Sequence, residues 1–227
     1  MKRLVVILVA VGALAALVSF VAPERARRLY HGVPRQADDG AEVLDGERWR
    51  LMTAWDSRDG DFPSAWSWGR WRFTDGLLEG RSDSDTFCVY FCPFTHGGDF
   101  LLETRVRILA GENAQPTEAH LLTRDSHELH NESGAVLFGG LPRVSAWHML
   151  DGVEYVLQVV QPEQPVSVGE WHLLRFSVRD GRVETWLDGA RVFRSAQRYP
   201  VGVYREPHFA VRHGVAQFSM LKIYMAR

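Results

Sequence analysis

The stretch "GEWHLLRFSVRDGRVETWLDGARV", Gly169 to Val192, constrains this chain more than any other. It holds Asp-Gly twice, each time between segments in which apolar and polar residues alternate. A two-residue Asp-Gly loop takes positive φ at both positions and closes a hairpin whose twist matches its strands. With Asp180-Gly181 as the turn, Arg179 faces Arg182, Val178 faces Val183, Phe176 faces Thr185 and Leu174 faces Leu187. With Asp188-Gly189 as the next turn, Leu187 faces Ala190, Trp186 faces Arg191 and Thr185 faces Val192. Side chains alternate along a strand, so Leu174, Phe176, Val178, Val183, Leu187 and Val192 form one predicted core face.

The opposite face is polar apart from Trp186, which lies between Arg175 and Arg191 with Glu184 alongside. That arrangement has two readings. Guanidinium stacking on the indole and the charge of Glu184 can hold the strands together with no ligand. Alternatively Trp186, Arg175, Arg191 and Glu184 form a ligand-binding platform, the indole stacking on a sugar ring and the arginines bonding hydroxyls or a uronate.

The same texture extends over most of the chain. Stretches such as "RWRLM", "WRFTDGLLEGRS", "TFCVYF", "DFLLETRVRIL", "AHLLTRD", "GAVLFGG", "VEYVLQVV", "HFAVRH" and "VAQFSMLKIYM" alternate or are rich in β-branched and aromatic residues, with Gly, Asp, Asn and Pro between them. More than ten strands without a helical run predict an all-β fold, a two-sheet antiparallel sandwich of residues 41–227. A content of 46% hydrophobic residues with eight Trp supplies the core for one such domain. A formal net charge of -2 offers no basic field for a phosphate backbone, so no nucleic-acid partner is expected.

These passages resemble the concanavalin A-like jelly roll, in its laminin G-like and 3-keto-disaccharide hydrolase branches. "WRFTDGLLEGRS" is similar to that hydrolase family's opening strands, "GGDFLLETRVRI" to its Gly-Asp-Phe strand, and "NESGAVLF" to its Asn-Ser-Gly turn. The double hairpin and "FAVRHGVAQFSMLKIY" resemble its closing strands, so the likeness runs from about Trp49 to Tyr224. Glu132 interrupts the Asn-Ser-Gly element, and no catalytic residue carries over. The resemblance implies a glycan-related role, in binding or in cleavage by a hydrolase or lyase.

Other residues are candidates for site chemistry. "RDSHELHNES" sets His127 and His130 around Glu128, a possible metal or acid-base cluster whose spacing is not that of a helical zinc motif. Asp83 and Asp85 begin an oxygen shell for calcium without completing it. Glu103, Glu154 and Glu184 are strand carboxylates of the type a glycosidase uses, but the glucanase pattern Glu-x-Asp-x-x-Glu is absent. Cys88 and Cys92 share a strand face at about 13 Å if fully extended, so a disulfide there needs a bend, and buried free thiols are the alternative.

The chain begins differently. After Lys2 and Arg3, residues 4–22 are uncharged and apolar, and nineteen residues of helix span roughly 28 Å, the thickness of a bilayer's hydrocarbon core. Phe20 and Pro23 spoil a cleavage site, so residues 1–22 are expected to be an anchor, with a cleaved signal and a secreted product as the alternative. Residues 23–40 are a charged, Pro- and Gly-containing linker. The expectation is a membrane-anchored sandwich on the periplasmic or extracellular side that binds a glycan or a protein partner without catalysis. The alternatives are a carbohydrate-active enzyme and a structural subunit of a membrane assembly.

Overall fold

The computed structural model describes residues 41–44, 47–56, 66–94, 98–109, 115–124, 132–150, 152–162, 165–199 and 206–226. Residues 1–40, with the expected anchor and linker, lie outside them, as does the segment 125–131 with His127 and His130. No helix among the described residues is long and apolar enough to cross a membrane.

The described residues form sixteen strands: β1 (Ala41–Leu44), β2 (Glu47–Asp56), β3 (Trp66–Trp68), β4 (Arg70–Thr74), β5 (Leu77–Ser82), β6 (Cys88–Phe91), β7 (Phe100–Leu109), β8 (Glu118–Arg124), β9 (Glu132–Phe138), β10 (Val144–Leu150), β11 (Val153–Val160), β12 (Trp171–Arg179), β13 (Arg182–Leu187), β14 (Ala190–Arg194), β15 (Glu206–Arg212) and β16 (Gly214–Ala226). They build two antiparallel sheets. The first runs β1-β2-β16-β7-β12-β13-β14, with the β4-β5 hairpin also paired to β16; the second runs β11-β10-β9-β8-β15-β6-β3.

The double hairpin forms as its turns dictate. Asp180 and Gly181 have φ of 47° and 72°, Asp188 and Gly189 have 51° and 86°. Asp and Gly tolerate this left-handed region, which is why they occupy the turns. Every predicted pair between β12 and β13 is present. On β14 the first two pairs hold, but a bulge between Thr185 and Trp186 shifts the third, so Thr185 faces Phe193 and not Val192. Phe193 takes the buried place, while Val192 packs at the edge of the core.

The main core lies between the sheets. Phe100, Leu102, Phe176, Val178, Val183 and Phe218 of the first sheet meet Leu121, Ala135, Leu137, Phe209 and Val211 of the second. Phe209 stacks on Phe218 across the gap, with ring centres 4.2 Å apart. Cys88 and Cys92 are buried free thiols facing this core, so no bridge joins them. Burial pushes the Cys88 thiol up to about 12, and pushes Cys92 up as well.

β3 and β4 adjoin in the chain but belong to different sheets. The chain changes sheets at Gly69, whose φ is +88° and whose missing Cβ would lie 2.4 Å from the Cβ of Cys88. Only glycine combines that backbone with that approach. The consequence is that the Trp-Ser-Trp of β3 becomes the edge of the second sheet.

Candidate functional site

The outer face of the second sheet carries a groove of about 210 Å3. Alternation along each strand sends one set of side chains into the core and the other set here. Pairing aligns the second set in two rows across six strands. One row is Trp66, Phe91, His208, Leu122, Gly134 and Trp147; the other is Trp68, Val89, Ala210, His120, Val136 and Ser145. Five strand spacings give the rows a length of about 24 Å.

At one end Trp66 and Trp68 are 46% and 59% exposed. Trp66 stacks on Phe91 with ring centres 4.0 Å apart. The floor between them and Trp147 is charged. β8 presents Glu118, His120 and Arg124, and β15 presents Glu206, His208 and Arg212, in the same order and spacing. Because the two strands are antiparallel, Arg124 falls opposite Glu206 and Arg212 opposite Glu118. Arg124 bonds Glu206 through Nε and one terminal nitrogen at 3.2 and 3.1 Å, and Arg212 lies 4.0 Å from Glu118.

The histidines add a second set of pairs. His208 Nε2 is 3.0 Å from Glu132 on β9, and His120 Nε2 is 3.2 Å from Glu118. Burial alone raises Glu118 and Glu132. The hydrogen bond from the facing histidine in each case, with the positive charge of Arg212 beside Glu118 and of Arg124 beside Glu132, more than offsets it. Both carboxyls are therefore held below the usual carboxylate range and stay ionised. Aromatic rings back the cations, with Phe91 3.8 Å below the Arg124 guanidinium and Phe87 5.1 Å from that of Arg212.

The residues singled out from the sequence lie elsewhere. Arg175, Trp186 and Arg191 do share a row on the outer face of the first sheet, continued by Glu103 and Lys222. Trp186, however, is only 1% exposed and belongs to a second apolar cluster with Trp49, Leu101 and Tyr224. The expected stacking platform is thus a packed structural feature. Turn chemistry determines which face a side chain takes, and distant strands determine what covers it. Glu184 binds Arg191 and Arg194 at 3.4 and 3.0 Å, and Glu103 binds Arg175 and Lys222. This is the cross-strand ion-pair reading, on the sheet opposite the groove.

Asp83 and Asp85, the calcium candidates, have protein partners. Asp83 is held by Arg70 and Arg81 at 2.7 and 2.9 Å. Asp85 is 88% exposed and 3.6 Å from His213. Among the described residues no three His, Cys, Asp or Glu side chains converge as a metal site does. A hollow of about 690 Å3 on the first sheet includes Arg105, Trp171 and Lys222, but its lining has a single aromatic and no histidine.

The sequence reading missed β1, β3 and β10, and with the last two Trp66, Trp68 and Trp147. Three-residue "WSW" is shorter than a recognisable strand, although its alternation was present. The stronger missed clue is the repeat of Glu-x-His-x-x-x-Arg in "EAHLLTR" and "EPHFAVR".

No protein-family profile matches the chain, and no curated protein matches its sequence. Solved structures do match it. Carbohydrate-binding module CBM66 from Bacillus subtilis has a TM-score of 0.56 at 20% identity, over 68% of this chain and 91% of that one. The Bacillus licheniformis β-glucanase has a TM-score of 0.58 at 14% identity, over 82% and 95%. The carbohydrate recognition domain of Emp47p has a TM-score of 0.59 at 12% identity, over 83% and 100%. The described residues form a concanavalin A-like β-sandwich, as the sequence resemblance implied.

Proposed function

We propose that this domain binds a glycan in the groove of its second sheet. The observation that carries the reading is the pair of exposed indoles, Trp66 and Trp68, at the mouth of a groove floored by paired His, Glu and Arg side chains. Flat apolar rings suit the faces of sugars, and fixed polar groups suit their hydroxyls. Similar folds whose names denote carbohydrate-binding modules and recognition domains support it. In this reading residues 4–22 tether the domain to a membrane, which their length and lack of charge support.

A second reading, a glycan-cleaving enzyme, has one observation in its favour: Glu118, Glu132 and Glu206 all face the groove side of the sheet. Against it, cleavage requires a carboxyl that keeps its proton near neutral pH, and Glu118 and Glu132 are shifted the opposite way. A glycan array probed with the full chain tests both readings. Retention of intact oligosaccharides, lost on Trp68→Ala, supports binding. Release of shortened products replaces it with the enzyme, and no glycan retained on any spot sinks it.

A further inference from the structure

The groove has an approximate twofold relation that does not extend to its histidines. Phe91 lies under Arg124 and beside His208, at 4.8 Å, as Phe87 lies near Arg212 and edge-on to His120, at 5.0 Å. The two histidines then part. His208 uses both ring nitrogens, Nε2 toward Glu132 at 3.0 Å and Nδ1 toward the Glu206 carbonyl at 3.3 Å. His120 commits Nε2 to Glu118 and leaves Nδ1 with no hydrogen-bond partner, although the residue is only 3% exposed. Trp147 Nε1, in the other row, is buried and unpaired as well. Buried polar atoms left unpaired are costly, and two of them lining one groove mark where a ligand supplies the missing bonds.

We propose that His120 Nδ1 and Trp147 Nε1 are the atoms that read the ligand, and that they select an uncharged sugar chain over an anionic one. The inference rests on the glycan reading above. The Glu118 carboxylate only accepts, so a proton sits on His120 Nε2; with the ring neutral, Nδ1 presents a lone pair. That lone pair accepts from a hydroxyl, and the Trp147 N–H donates to one. A hydroxyl can do both, whereas a ligand carboxylate can only accept and gives His120 Nδ1 nothing. The guanidiniums here also already face carboxylates, Arg124 binding Glu206 and Arg212 lying 4.0 Å from Glu118, while Glu132 adds a third negative charge. Stripping water from a uronate in this groove would therefore go uncompensated. Glu118 acts as a positioning residue that holds the tautomer.

Calorimetric titration of the full chain with neutral gluco-, galacto- and fructo-oligosaccharides, and with galacturonate and glucuronate oligomers, tests this. The expected result is binding of a neutral oligomer, weakened about tenfold by His120→Ala and partly restored by His120→Asn, whose amide oxygen replaces the acceptor. Preferential uronate binding overturns the inference. So does neutral binding that is abolished by Trp68→Ala yet unchanged by His120→Ala, although that result leaves the glycan reading standing. Absence of binding by the unaltered chain removes the reading and the inference together. Should His120→Ala not fold, nitrogen NMR of the unaltered protein decides: Nδ1 of His120 is expected to be unprotonated and to shift on adding the neutral oligomer. A protonated or unmoved Nδ1 overturns the proposal.

Discussion

Arg124 lies with its guanidinium 3.8 Å from the centre of the Phe91 ring, although a whole strand, β15, separates their two strands. The same guanidinium binds Glu206 of that intervening strand through two nitrogens. One side chain thus couples the aromatic wall of the groove to its charged floor. Lysine keeps the charge but cannot stack as a plane or bond in a fork. Arg124→Lys is expected to lower stability by about 1–2 kcal/mol and to weaken glycan retention. Denaturant titration alongside array binding checks this, and an unchanged midpoint refutes it.

Trp68 and Trp186 are expected to respond in opposite ways. Trp68 is exposed and lines the groove, so Trp68→Ala should cost about 0.5 kcal/mol or less while abolishing retention. Trp186 is buried in the second apolar cluster, so Trp186→Ala should cost about 3–5 kcal/mol. Paired unfolding curves measure both, and a Trp186 variant as stable as the parent would contradict the packing described.

Stability should fall on acidification in two stages. Burial holds His148 below its ordinary value, with Nδ1 hydrogen-bonded to the Ser133 hydroxyl at 2.7 Å. Its native state favours the neutral ring, so this contribution is full above about pH 6.5 and declines below it. Glu118 and Glu132 also sit below their unfolded value, about 4.3, so their contribution is full above that pH and is lost as pH falls through the folded values. Denaturation midpoints from pH 8 to 3 should show the first stage removed by His148→Asn and the second reduced by Glu132→Gln. A flat profile between pH 7 and 5 for the unaltered protein would exclude the first stage.

The two thiols should be inert in the folded state. Cys88 and Cys92 face the core with their pKa values raised by burial, so almost no thiolate is present at neutral pH. Iodoacetamide is expected to leave both unmodified in the native protein and to label both in denaturant. Labelling at native-state rates comparable to those of the unfolded chain would refute this.

Local geometry could be read directly from neighbouring residues. Asp-Gly turns and period-two alternation act between near neighbours, so they set the β12–β13 register and the core faces of Leu174, Phe176, Val178 and Val183. The bulge at Thr185 lay outside that logic, because packing of Phe193 into the core selects it. The candidate site, by contrast, arises from long-range strand pairing. The strand order β8-β15-β6-β3 unites two Glu-x-His-x-x-x-Arg segments and the Trp66–Trp68 edge. The same tertiary packing buries Trp186 with Trp49 and Tyr224. Strand order depends on long-range pairing and sheet-on-sheet packing, whose free energy is shared across the whole core and is not encoded in any single stretch.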